Sequence, residues 1–493
     1  MAIPLASTGT VGYSLAELSL QKSNTVATIE DPTTTRTEAV MHNIRQRIER
    51  RLLTPGAKLP SVRALADSSG FSKSTVVEAY DRLAAEGVIR SRPGSGFYVA
   101  APLAPLALAE IGPALDRQID PIWMMRQSLT MRAGALMPGC GWLPEAWMPH
   151  ETMRKALRRN ARSTSDGGLV GYALPAGPEP LRRLIAHRLA GQGVEAGVDQ
   201  VLLTDSGTHA IDLVLRFLIE PGDAVLIDDP CYFNFHALLR AHRAKLVSVP
   251  FTPNGPDVAA FAAALTEHRP RLYLTNSGVH NPTGAALSAP VAHRILKLAE
   301  EHRLVIVEDD IFADFEIEPA PRYAAFDGLD RVVRVGSFSK SLSSGVRCGY
   351  IAARADWMGD ITDLRIATGM SGSALSAQLL HAALTDGGYR RHMDQVHARL
   401  ARARAETIRR LRDIGIEPWI EPRAGLFLWC RLPDGADAVS VARRGLEEDI
   451  VFAPGNVFSL SQSASQYLRF NAAMMGDARI YRCLARAVSD RQA

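Results

Sequence analysis

Apolar positions recur at two spacings along this chain, and the change of spacing divides it. From residue 36, Val40, Ile44 and Ile48 fall four apart, the repeat of one helix face, and Pro55-Gly56 ends the run. Ser61 opens a shorter helix through Val62, Leu65 and Ala66 that stops near Gly70. Ser72 is suited to cap a third helix, whose Val76, Ala79, Tyr80 and Leu83 share a face before Gly87 closes it. Val88-Ile89-Arg90 and Phe97-Tyr98-Val99 read as two strands around the turn Pro93-Gly94-Ser95-Gly96.

From about 150 to 380 the pattern becomes short, continuous apolar runs separated by helical stretches. The runs are 201–204, 224–228, 271–275, 304–308 and 332–335. Strands without polar alternation are buried on both faces, which predicts an α/β fold with helices packed on a mostly parallel sheet. From about 385 to 485 a helix (Arg390 to Leu411) is followed by strands near 426–431 and 467–471, a smaller α+β lobe. Residues 1–35 are rich in Ser and Thr without periodicity and read as a flexible arm. Residues 101–121, with Pro102, Pro105, Gly112, Pro113 and Pro121, read as a linker between a domain at 36–100 and one at 122–493.

Charge sharpens the first domain. Residues 36–92 hold eleven Lys/Arg against six Asp/Glu, a local excess of five in a chain whose net charge is only +4. A basic module on a near-neutral body, built as two helices with a tight turn and a hairpin wing, predicts a winged helix-turn-helix that binds double-stranded DNA. Lys73, Ser74 and Thr75 open its recognition helix, Arg63 precedes it, and Arg90 and Arg92 lie on the wing. The chain shows no apolar run long enough to span a bilayer and no secretory signal. Its five cysteines (140, 231, 348, 430, 483) have neither metal nor redox spacing, so no metal is expected and a cytoplasmic location is.

The candidate chemistry lies in the second domain, where ligands gather at the carboxyl ends of strands. Lys340 follows the strand at 332–335 within Gly336-Ser337-Phe338-Ser339-Lys340, and Arg347 comes seven residues later. A lysine amine with nearby hydroxyls and an arginine suits a Schiff base with pyridoxal 5'-phosphate (PLP), the phosphate held by Ser337 and Arg347. Ser206-Gly207-Thr208, at a strand-to-helix turn, adds backbone N–H groups that attract phosphate. Asp309 suits the pyridine nitrogen, Tyr232 the ring face and Asn281 the phenolic oxygen. Arg469 suits a ligand carboxylate.

Two sets of motifs resemble known families. Leu59-Pro60-Ser61-Val62-Arg63 with Leu65-Ala66, and the run from Ser72 to Tyr80, resemble the GntR-type winged helix. Residues about 122–485 resemble fold type I aminotransferases, and the combination is that of the MocR-type subgroup of GntR-like regulators. The resemblance implies PLP attached at Lys340, with Asp309, Asn281 and Arg347 in the roles above. It also implies a homodimer with Tyr172 at the interface near the cofactor. Relatives usually carry a tyrosine two or three residues after the ring aspartate, where this chain has Ile311 and Phe312. That departure implies a weaker catalyst, with at most weak half-transamination. Ser344, where many relatives have proline, carries no conclusion.

The expectation is a PLP-dependent transcriptional regulator that senses an amino compound, or PLP itself, through the Lys340 linkage. The alternative is an active aminotransferase carrying a regulatory DNA-binding domain. A third reading, a DNA-binding scaffold whose PLP fold only dimerises, sits poorly with the intact set of Lys340, Asp309, Asn281 and Arg347.

Overall fold

The computed structural model describes residues 35–49, 53, 56–92, 94–100, 129, 134–163 and 170–489. All but Thr35 of the expected N-terminal arm, and the whole of the expected linker, lie outside the described residues. Two units divide the chain, Met1–Leu106 and Ala107–Ala493.

In the first unit, three helices and a two-stranded hairpin follow the expected order. They are α1 (Arg36–Glu49), α2 (Val62–Ser69), α3 (Lys73–Ala85), β1 (Ile89–Arg92) and β2 (Gly96–Val99). Serine oxygens set both helix starts: Ser61 Oγ accepts from Ala64 N at 3.1 Å and Ser72 Oγ from Thr75 N at 3.1 Å. Gly70, at φ +75°, takes the left-handed turn that ends α2. The apolar faces foreseen from the spacing meet in one core of Val40, Ile44, Ala66, Val76, Ala79, Tyr80 and Leu83 with Ile89 and Val99. Tyr80 ties the parts together. Its hydroxyl donates to Pro60 O at 2.8 Å and its ring meets Phe97 of the wing edge-on at 4.8 Å.

The second unit is built on an eight-stranded sheet and a four-stranded one. The large sheet comprises β3 (Val201–Thr204), β4 (Ala224–Asp229), β5 (Lys245–Thr252), β6 (Gly255–Pro256), β7 (Leu272–Thr275), β8 (Val305–Asp309), β9 (Val332–Ser337) and β10 (Gly349–Ala352). Their order is β3-β10-β9-β8-β7-β4-β5-β6. The central pairs are parallel, while β10 runs antiparallel to both neighbours and β6 antiparallel to β5. The expected runs match β3, β4, β7, β8 and β9; β5, β6 and β10 were not foreseen. Both faces of the sheet are covered, because successive residues join different cores: Leu203, Leu226 and Ile306 one, Leu202, Ile227 and Val307 the other.

That period of two also sorts the acids at the end of β8. Glu308 and Asp310 share a face with Arg334 of β9, and Asp309 faces the other way. The small lobe carries β11 (Glu417–Pro418), β12 (Phe427–Arg431), β13 (Ala453–Pro454) and β14 (Tyr467–Asn471), in the order β11-β12-β14-β13. Among the described residues no helix is long and apolar enough to cross a membrane, and no group of three His, Cys, Asp or Glu is placed to hold a metal.

Candidate functional site

Strands β3, β4, β7, β8 and β9 all point the same way, so their carboxyl ends form one edge. The loops leaving that edge meet the segment 139–142 and strand β14 of the small lobe. A cavity open to solvent is lined by Gly139, Cys140, Gly141, Trp142, Tyr232, Phe233, Asn281, Ile311, Phe312, Lys340 and Arg469. Lys340 enters from the turn after β9, Tyr232 from the turn after β4 and Asn281 from the loop after β7. Arg469 comes from β14, where it pairs in register with Trp429.

Asp309 sits in this surrounding as a buried carboxylate with an unmet partner. Its side chain is 3% exposed, and Oδ1 has no hydrogen-bond partner. Burial pushes its pKa up to about 7, against the pull of the Ile311 N–H, with Asp310 adding to the rise. A buried acceptor without a donor is costly, and a protonated ring nitrogen would supply one. Lys340 is shifted the opposite way. Burial, then the charge of Arg469, lower its pKa to about 8, with Asp309 opposing. Roughly a tenth of the amine is then neutral at pH 7, against almost none for a solvated lysine. The Lys340 ammonium lies 5.7 Å from the centre of the Trp142 ring.

Arg469 is fully enclosed, its guanidinium 4.5 Å from the Phe427 ring and 4.8 Å from the Phe458 ring. Burial lowers its pKa to about 10. Nη1 donates to Asn281 Oδ1 at 2.7 Å and Nη2 to Gly139 O at 2.5 Å, which leaves Nε without a partner. The bidentate fork expected of Arg469 therefore has both Nη1 and Nη2 already donating within the protein. The same contact fixes Asn281. With Oδ1 accepting from Arg469, Nδ2 is the group left to donate into the cavity. Burial, then Asp309, push the Tyr232 hydroxyl up to about 12, so it stays protonated.

The residues expected to hold phosphate lie at the start of α4 (Gly207–Leu218), outside the lining of the Lys340 cavity. Ser206 Oγ accepts from His209 N at 3.0 Å, capping the helix. A Cβ on Gly207 would come 3.0 Å from Ile311 Cγ2 and 3.5 Å from Ser337 Cβ, so glycine keeps this space open. Strand β10 passes behind it, where a Cβ on Gly349 would meet Ser206 C at 2.5 Å. Arg347 is exposed and held at φ +50°, a left-handed conformation that an L-residue adopts at a cost. Thr208 is exposed in the first helical turn. Ser337 Oγ donates to Ser339 Oγ and to Cys348 O. Tyr172 is 85% exposed and stands outside the cavity; a single chain does not bring it to the site.

Several residues that position the site carry no local sequence signal. Asp310 is neutralised by Arg322 Nε at 2.6 Å and Arg334 Nη2 at 2.5 Å, with Glu316 on the far side of Arg322. The second acid of the Asp309-Asp310 pair is thus structural. The turn bearing Lys340 is anchored through its neighbour. Ser341 Oγ donates to Asp314 Oδ2 at 2.7 Å, and the single proton of the Tyr389 hydroxyl is shared between Ser341 Oγ at 2.7 Å and Asp314. His392 binds Ser341 O at 3.0 Å and His397 binds Asp314 O at 2.8 Å, both from α5 (Gly388–Arg412). Arg365 is buried and lies 3.6 Å from Asp205, just before the cradle. Ser341 is adjacent to Lys340 and so had a sequence clue; Asp314, Tyr389 and Arg365 had none.

The first unit offers a separate surface. Arg63, Lys73, Arg90 and Arg92 are exposed, and among the described residues none has a carboxylate within ion-pair distance. Other cations are committed: Arg45 pairs with Glu86, and Arg82 with Glu78 at 2.6 Å. Ser74 and Thr75 hydroxyls cluster on Ser72 Oγ, each at 2.8 Å. Arg92 stacks on Tyr98 at 4.5 Å and Lys58 lies 5.9 Å from the same ring, a basic neighbour the sequence reading passed over.

The orphaned Asp309 Oδ1, the softened Lys340 amine and the open cradle at Gly207 fit PLP. Comparison with known proteins agrees. Residues 143–486 match the family aminotransferase class I and II, and residues 36–99 match bacterial regulatory proteins of the gntR family. The HTH-type transcriptional regulator YdcR of Escherichia coli (strain K12) is 28% identical, over 88% of this chain and 94% of its own. The 2-aminoadipate transaminase of Thermus thermophilus is 29% identical, over 70% of this chain and 87% of its own. The crystal structure of LysN, an alpha-aminoadipate aminotransferase from Thermus thermophilus complexed with N-(5'-phosphopyridoxyl)-L-leucine, superposes with a TM-score of 0.67. It is 27% identical and covers 74% of this chain and 94% of its own. This chain belongs to the aminotransferase class I and II family, with PLP as its cofactor, in the form that places a GntR-type helix-turn-helix ahead of the aminotransferase domain, as in MocR-type regulators.

Proposed function

We propose that this chain is a DNA-binding transcriptional regulator whose aminotransferase-like unit senses an amino compound at Lys340. The observation that carries the reading is the coexistence, in one chain, of winged-helix cations that have no ion-pair partner among the described residues and a lysine cavity beside a buried, unpartnered Asp309 Oδ1. When bound, PLP supplies an aldehyde for amine exchange and a ring that accepts electrons. The chain's residues do the rest. Asp309 would hold the ring nitrogen in its protonated form, Asn281 would face the phenolic oxygen, Tyr232 the ring, and Ser206 to Thr208, Ser337 and Arg347 the phosphate. Arg469 would orient a ligand carboxylate, and Lys340, with its pKa lowered to about 8, would take a proton as the neutral amine and return it as the ammonium.

Arg63, Lys73, Ser74, Thr75, Arg90 and Arg92 contact a double-stranded operator, the cations chiefly through phosphates. A homodimer is part of the proposal. It is supported by Tyr172 and its exposed apolar neighbours Val170 (88%) and Leu174 (65%), which a partner copy would cover. Regulation requires that the ligand bind one conformer better than another. In the test, Lys340→Ala abolishes the response of DNA binding to amino compounds and leaves basal operator binding intact. A full response in that variant refutes the reading.

The intact donor set and the similarity to a 2-aminoadipate transaminase favour a second reading, a working aminotransferase with a regulatory DNA-binding domain. Multiple turnovers with an amino donor and a 2-oxo acid acceptor would establish it; a single stoichiometric conversion would not.

A further inference from the structure

The wall of the cavity around Lys340 is built to a definite chemistry. Among the described residues, its only charged lining groups are Lys340 and Arg469, and no Asp or Glu lines it. Under the reading above, Lys340 meets the ligand amine and Arg469 its α-carboxylate. The rest of the lining is uncharged: Tyr232 and Asn281, which the reading above gives to the cofactor, and Gly139, Cys140, Gly141, Trp142, Phe233, Ile311 and Phe312. Nothing in this set can neutralise a second charge on a ligand side chain, and an unpaired charge moved out of water is strongly disfavoured.

The wall is also rigid. Asn471 N donates to Pro138 O at 2.7 Å, and Asn471 Nδ2 donates to Cys140 O at 3.0 Å and Trp142 O at 2.7 Å. Gly139 N donates to Val451 O at 2.9 Å while its carbonyl accepts from Arg469. A Cβ at Gly139 would lie 2.5 Å from Ala453 N, so the segment sits tightly on the small lobe. Strand β14 therefore supplies both the carboxylate anchor, Arg469, and the clamp, Asn471, that holds Trp142 in place. Phe312 is held edge-on to Phe427 at 5.1 Å, so the opposite side is fixed as well.

We propose that the ligand sensed at Lys340 is an α-amino acid with an uncharged, apolar side chain, selected by the wall of Cys140, Trp142 and Phe312. The proposal rests on the amine-sensing reading and narrows it. It excludes dicarboxylic amino acids as preferred ligands, and also amines that lack a carboxylate.

The test uses the full chain loaded with PLP, titrated with L-leucine, L-phenylalanine, L-glutamate, L-2-aminoadipate and isopentylamine, and read by the visible band of the cofactor. L-Leucine or L-phenylalanine should shift the band at a concentration about tenfold lower than either dicarboxylic acid or isopentylamine, the scale on which pocket chemistry discriminates. Equal or tighter response to L-glutamate or L-2-aminoadipate overturns the proposal, as does an equal response to isopentylamine. A band that shows bound cofactor but moves with none of these compounds overturns the sensing reading itself. Trp142→Arg should bring L-glutamate to within about threefold of L-leucine; an unchanged preference in a variant with a normal cofactor band removes Trp142 from the wall. Trp142→Phe keeps the wall apolar and should retain the preference for L-leucine.

Discussion

The winged helix and the cofactor site use sequence in opposite ways. In the first unit the candidate DNA-contacting residues fall within thirty positions of one another, on elements whose caps and faces are set by their own neighbours. Their side chains project from the surface, and the core beneath needs only apolar spacing. In the second unit the residues around Lys340 run from Gly139 to Arg469, come from the ends of four strands of the large sheet, a segment at 139–142 and a second lobe, and are buried or half-buried. A surface site tolerates loss of one group because water replaces it. A buried site does not, because each removed partner leaves another polar group unmet. The two regions should therefore respond differently to substitution and to salt.

The largest effects belong to the buried site. Lys340→Ala removes the amine that anchors PLP and should abolish the lysine-linked visible band, while operator binding in a mobility-shift assay remains. Asp309→Asn should also weaken PLP retention strongly, yet stabilise the cofactor-free chain at neutral pH. Folding raises this carboxyl from its ordinary 3.8 to about 7. Between those values the folded chain holds a proton that the unfolded chain has lost, so Asp309 makes stability fall as pH rises from about 4 to 7. Denaturant midpoints at pH 5 and pH 8, compared between the two proteins, read this directly; an equal pH slope in both removes Asp309 as its source.

Next in size is the surface site. Arg63→Ala with Lys73→Ala should weaken operator binding by about 10- to 100-fold and flatten its salt dependence. The cofactor spectrum should not change. Unaltered affinity would place the DNA contacts elsewhere on the unit.

Smaller effects probe the anchor of the lysine turn. Tyr389→Phe removes the hydroxyl that bridges Ser341 and Asp314 and should cost about 1–2 kcal/mol of stability. A positioning role further predicts a moved midpoint in the pH profile of PLP capture, which otherwise rises toward pH 8 as Lys340 loses its proton. Lost stability with an unmoved midpoint limits Tyr389 to packing. Smallest of all, Phe312→Tyr adds a donor on the cavity side of a ring already seated against Phe427. It should lower the pKa read from the lysine-linked cofactor band by about one unit; no change would mean that the new hydroxyl does not reach the phenolic oxygen.

Taken alone, the sequence determined the fold class, the GntR-type and aminotransferase pairing, the helix starts at Ser61 and Ser72, and the central strands. Each follows from local spacing, caps or short motifs. It missed β10, whose Gly349-Tyr350-Ile351-Ala352 is too short to stand out and is fixed by two neighbouring strands. It assigned Asp309 to the ring nitrogen but left Asp310 without a role, because the adjacent acids differ only in the face of β8 they take. Only the tertiary structure decided that Asp310 is neutralised by Arg322 and Arg334 while Asp309 Oδ1 stays unpartnered. The same holds for Arg469 on Asn281, Tyr389 on the lysine turn, and the Trp142 wall clamped by Asn471. These depend on contacts between residues tens to hundreds of positions apart. Such contacts set burial and charge balance, which local spacing does not encode.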